Sequence, residues 1–133
     1  MTYTEAFLDR MVTAYIETAL WSSMDGADDS GGAPLDDNYG PDDIDVSTLD
    51  RMRGDCESFL DGLPELDNDH EPQALGHDLW LTRNGHGAGF WDGDYPEPDA
   101  TILDEAAKAM GEVDLYVGDD GTIDDGRAYL EGA

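Results

Sequence analysis

Three histidines, His70, His77 and His86, lie close together among Asp67, Asp69, Glu71 and Asp78. Imidazole nitrogen and carboxylate oxygen are the donors that zinc and similar divalent ions take. The spacing fits no closed metal motif, and a chain this rich in carboxylates offers such coincidences freely, so neither metal nor cofactor is expected. Asp67, Asp69 and Glu71 mimic the first three ligand positions of an EF-hand loop, but position six falls on Pro72, where the turn needs glycine. His77, Asp78 and His86 could form an acid–base pair beside Trp80 and Arg83; a polar cluster steadying a helix terminus explains the same residues more simply. Nucleophilic catalysis has no support. There is no G-x-S-x-G and no P-loop, and Cys56, the only cysteine, falls on the apolar side of its helix. The chain is therefore read as non-enzymatic. A small-molecule ligand, if there is one, belongs at Arg83, Asn84, His86 and Trp91.

The stretch that would position those groups is HDLWLTRNGHGAGFWDGD, His77 to Asp94. Leu75, Leu79 and Trp80 stand close to helical spacing, with Asp69 as N-cap and Pro72 in the first turn, predicting a short amphipathic helix that ends at Arg83-Asn84-Gly85. Asn84 or Gly85 supplies the left-handed cap, and Arg83 suits the negative helix end. Gly87 to Trp91 then reads as a strand whose glycines allow close backbone approach, with Trp80 and Trp91 packed near each other.

Three further helices complete the scaffold. Thr2-Tyr3-Thr4-Glu5 fits a capping box before Phe7, Leu8, Met11, Val12, Tyr15, Ile16, Ala19 and Leu20, so a central core helix runs from there towards Gly26. Ser47, with Asp50 three residues on, opens a second, apolar at Leu49, Met52, Cys56, Phe59, Leu60 and Leu63 and ended by Gly62 and Pro64. Its opposite face, Asp50, Arg51, Asp55, Glu57, Ser58 and Asp61, is read as solvated. Asp99 or Thr101 caps a fourth, with Ile102, Leu103, Ala106, Ala107 and Met110 inward and Gly111 closing it. Val113 to Val117 alternates as a strand, and Gly118-Asp119-Asp120-Gly121 is a turn before Thr122-Ile123. The expected fold is α+β, one domain over residues 1–133, about four helices on an antiparallel sheet of two to three strands. A long acidic loop at about 25–46 is pinned by Leu35, Tyr39 and Ile44.

LTRNGHGAGFWD, together with DLYVGDDG, LDDNYGPDDID and EAAKAMGEVDLYVGDDG, resembles a group of small acidic bacteriophage-encoded proteins. The resemblance implies a viral or mobile-element origin and action on host machinery; with a lone cysteine and no sign of a signal peptide or membrane span, the expected place is the host cytoplasm. It transfers no functional residue.

Charge is the loudest feature. In 133 residues, 33 acids (24 Asp and 9 Glu) oppose 6 basic residues, Lys108 being the only lysine, for a formal net charge of -27. Direct binding to nucleic acid or to an anionic membrane is excluded, because phosphate recognition needs lysine and arginine. No apolar run approaches a membrane span, and the opening MTYTEAFLDR, with no basic stretch before an apolar block, is read as carrying no signal peptide. A basic partner is favoured instead, above all a host protein whose surface was built to hold DNA, which carries one charge per ~1.7 Å of axis. The expected activity is inhibition of a restriction or CRISPR-type defence protein by DNA mimicry, as a monomer or homodimer. The carboxylates assigned to it are Asp28, Asp29, Asp36, Asp37, Asp42, Asp43, Asp45, Asp55, Asp61, Asp67 and Asp69. The alternative is an accessory domain or small enzyme using the Arg83 region, its acidity serving solubility or growth in high salt.

Overall fold

A computed structural model describes residues 3–23, 34–37, 39–85, 89–90, 95–118 and 121–125. Four α-helices and a two-strand antiparallel sheet make an α+β fold. Helix α1, Glu5–Ser22, is central: Leu8, Met11, Val12, Tyr15, Ile16, Ala19 and Leu20 are all buried. Thr4 is its N-cap, accepting a hydrogen bond from the Phe7 N–H at 3.1 Å, so the helix begins two residues later than a box opened by Thr2 implies. It ends before Gly26 because Ser23 turns extended and its N–H closes on the Ala19 carbonyl.

Helix α1 packs most extensively against α3, Pro72–Arg83, and the reason is Gly76. A Cβ there would stand 2.1 Å from the Met11 carbonyl oxygen and 3.0 Å from the Tyr15 nitrogen, so the two backbones touch where only glycine fits. Helix α2, Val46–Asp61, lies on α1 through Met52, Cys56, Phe59 and Leu60. Its cap is Asp45 rather than Ser47; the carboxylate accepts from both the N–H and the hydroxyl of Ser47, bonds that hold it below the usual carboxylate pKa. Helix α4, Asp99–Ala109, buries Leu103 and Ala107 and packs on α3.

Strands β1, Leu115–Val117, and β2, Ile123–Asp125, pair in register Leu115 to Asp125 and Val117 to Ile123. Ile44 adds a parallel bridge to Ile123, and the Asp45 N–H reaches the Ile123 carbonyl at 2.9 Å, so the acidic loop returns to the sheet just before α2 begins. Within that loop the 3-10 turns Leu35–Asp37 and Pro41–Asp43 hold Leu35 and Ile44 in the core, with Tyr39 packed against it.

The strand expected at 87–91 is corrected at Phe90. This residue joins no strand; its N–H bonds the Thr82 hydroxyl at 3.1 Å, and its buried ring stacks on Phe59 and meets Tyr95 edge-on. Gly89 at φ +133° makes that seat possible, since a Cβ would fall 2.0 Å from the same hydroxyl. The expected packing of Trp80 on Trp91 lies outside the described residues; Trp80 sits edge-on to Tyr15 and donates to the Ser22 hydroxyl at 2.8 Å.

Candidate interaction surface

Two of the residues assigned from sequence prove to be interior. Arg83, at the end of α3, has a side chain 4 % exposed. Its Nη1 donates to the Tyr15 hydroxyl at 2.9 Å and to Asp55 Oδ2 at 3.1 Å. Its Nε and Nη2 donate to the carbonyls of Gly111 and Met110, closing the C-terminus of α4. Asp55 is buried with it, not on the solvated face of α2. An aspartate flanking an apolar stripe is drawn inward only when a cation waits there, and this one comes from 28 residues away. Burial, then the nearby Asp55 carboxylate, raise the Tyr15 pKa well above its ordinary value against the opposing pull of Arg83. The same two causes raise the Cys56 thiol, making it inert. Asn84 is likewise structural: its side chain donates to the Trp80 carbonyl and accepts from the Val113 N–H. His86 and Trp91 lie outside the described residues, as do Asp28 and Asp29.

A second interior carboxylate, Asp99, organises the connection before α3. It accepts from the N–H groups of Asp67 and Asn68, each at 3.0 Å, from the Asn68 amide at 3.2 Å and from His70 Nε2 at 2.8 Å. Burial alone would raise its pKa; these hydrogen bonds outweigh it and hold the group below the ordinary carboxylate value. Asp99 is thus no cap of its own helix. The N-cap position is Pro98, and the carboxylate of Glu97 just before it accepts from the Thr101 N–H at 2.8 Å. His77 Nδ1 lies 2.9 Å from Asp78 Oδ1, and Asp78 Oδ2 accepts the Tyr95 hydroxyl at 2.7 Å. Among the described residues, no three or more His, Cys, Asp or Glu side chains gather as a metal site.

The remaining assigned acids, Asp36, Asp37, Asp42, Asp43, Asp61, Asp67 and Asp69, are exposed, while Asp45 is half-buried as the α2 cap. Along α2 the exposed acids are Asp50, Glu57 and Asp61, which the 100° helical step places within about 40° of one another. Rising 1.5 Å per residue, they span roughly 16 Å of one ridge; in sequence the exposed Asp42 and Asp43 precede it and the exposed Glu65, Asp67, Asp69 and Glu71 follow it. Gly54 shares the ridge, and a Cβ there would meet nothing within 4 Å.

Arg53 joins this ridge to α1. It donates to Asp9 Oδ1 at 2.8 Å and Glu5 Oε2 at 2.9 Å, and lies 3.7 Å from Glu57. Beside it a surface cavity of about 290 Å³ is lined by Tyr3, Glu5, Leu8, Glu57, Leu60 and Asp61. Sequence reading missed Arg53, whose three partners come from two helices, and Trp21, which stands exposed at the end of α1. Trp21 was visible in the helical phase: Ala19 and Leu20 point inward, so the next residue faces out. No family model, curated protein or solved structure matches the chain.

Proposed function

We propose that this chain is a non-enzymatic inhibitor of the phage type its sequence resembles. It would occupy the basic nucleic-acid-binding surface of a host defence protein as a DNA mimic. What supports the reading is how the cations are used. Of the five described basic side chains, Arg51, Arg53, Arg83 and Lys108 are held in ion pairs by the chain's own carboxylates, Arg83 in the interior and Arg51 half-buried. Along the ridge Asp50, Glu57 and Asp61 the neighbouring cation Arg53 is partly exposed but is neutralised by Glu5, Asp9 and Glu57, so the acids outnumber it there. A field of one sign along an elongated ridge accelerates encounter with a basic cleft and weakens steeply as salt rises.

A second reading, acidity as a solvating coat, is favoured by one observation. Exposed acids also stand on α4 and beyond it, at Glu105, Glu112 and Asp114. One experiment separates the two. The chain is immobilised and challenged with bacterial lysate at about 50 mM and about 500 mM salt, a range across which counterion screening shortens from roughly 14 Å to 4 Å. The unaltered chain is expected to retain a basic DNA-binding protein at low salt and release it at high salt. Reversal of Asp50, Glu57 and Asp61 to lysine should abolish retention, whereas reversal of Glu105, Glu112 and Asp114 should leave it. Equal losses from both sets would overturn the mimic in favour of the coat.

A further inference from the structure

We infer that Trp21, exposed at the end of α1 one turn beyond a groove between α1 and α3, receives an arginine side chain from a basic partner protein, the indole serving as its stacking platform and Glu17, which lines that groove, as the carboxylate beside it. Trp21 is 43 % exposed, and among the described residues the only other large hydrophobic group so placed is Val46. On α1 it continues the ridge Asp9, Thr13, Glu17, each four residues from the next, so Glu17 stands one turn, about 6 Å along the axis, from the indole. Gln73 and His77 of α3 repeat that spacing alongside.

Between the two ridges lies a groove of about 280 Å³ lined by Asp9, Thr13, Ala14, Glu17 and Gln73. Arg10 also lines it, at the end remote from Trp21, eleven residues or roughly 16 Å back along α1. Beyond the groove's Glu17 end, the His77 ring lies 5.8 Å from the indole, tilted by 32°. His77 is fixed there. An ionised carboxylate only accepts, so Nδ1–H donates to Asp78, whose other oxygen is engaged by Tyr95.

The chemistry of this arrangement selects a planar cation on an aliphatic stem. Tryptophan is the strongest cation–π platform among side chains, and a guanidinium stacks on it while its edge still pairs with a carboxylate such as Glu17. An ammonium, compact and strongly hydrated, gains less from the ring. Tryptophan and arginine are also the side chains on which binding energy most often concentrates.

The inference rests on the basic partner proposed above, and the test separates the two. Nona-arginine and nona-lysine peptides are titrated into the full chain at low salt, using the unaltered protein and the variants Trp21→Ala and Trp21→Phe, with circular dichroism confirming the fold of each. Trp21→Ala should weaken nona-arginine about five-fold and nona-lysine by less than about two-fold, and Trp21→Phe should keep most of the arginine affinity. Equal weakening of both peptides by Trp21→Ala, or no weakening of either, overturns the arginine site while leaving the basic partner standing. Failure of both peptides to bind the unaltered chain overturns both.

Discussion

Two arginines in this molecule are surrounded by carboxylates and do opposite things. Arg83 is enclosed between α1, α2 and the end of α4, where it meets Asp55, the Tyr15 hydroxyl and two carbonyls. Arg53 lies on the outside and meets Glu5, Asp9 and Glu57. In the interior, low dielectric and desolvation make each partner indispensable to the other. On the exterior, water and salt screen the same chemistry down to little. The pairing of charges holds this fold together inside and merely trims its field outside.

The largest effect expected from breaking that contrast is at the buried site. Arg83→Met should lower unfolding free energy by about 3–5 kcal/mol, because it removes the cation buried beside Asp55 and the donors to two terminal carbonyls. The double variant Arg83→Met with Asp55→Leu should recover much of that loss in urea titration. No recovery would mean that the carbonyl contacts, not the ion pair, dominate. Next comes Asp99→Asn, expected to cost about 1–3 kcal/mol by degrading acceptance from two backbone N–H groups. Asp99 has a folded pKa below its unfolded one, so it contributes stability above the ordinary value of 3.8 that is lost as pH falls through the lower folded value. The variant should therefore show a flatter acid limb in pH-dependent melting. A change of similar size but opposite sign is expected at Gly54→Ala, a gain of about 0.5–1 kcal/mol in thermal unfolding, since the site is open and helical. Smallest is Arg53→Ala, about 0.2–1 kcal/mol at low salt and vanishing at high salt. A salt-independent loss there would erase the distinction between the two arginines.

Much of the scaffold is legible in the chain because it rests on local rules. Apolar spacing located all four helices, and Gly111 and Gly121, at φ +77° and +83°, end a helix and make a turn where sequence placed them. Caps moved by about two residues where two candidates competed, as Thr2 with Thr4 and Ser47 with Asp45. What could not be read was decided by partners remote in sequence. Asp55 turns inward for Arg83, Asp99 turns away from its own helix towards Asp67 and Asn68, and Phe90 leaves the sheet because Thr82 offers its N–H an acceptor. The surface was legible only as composition. Helical phase adds that Asp50, Glu57 and Asp61 share a ridge, and only the fold shows that Arg53 ties it to α1.

The vacancy at Gly54 makes that ridge an addressable position. The chain's only cysteine, Cys56, is sealed in the core, so Gly54→Cys would create a single reactive thiol among the carboxylates. A fluorophore attached there would sit in the path of whatever docks on α2, and its emission would report arrival without disturbing a single charge.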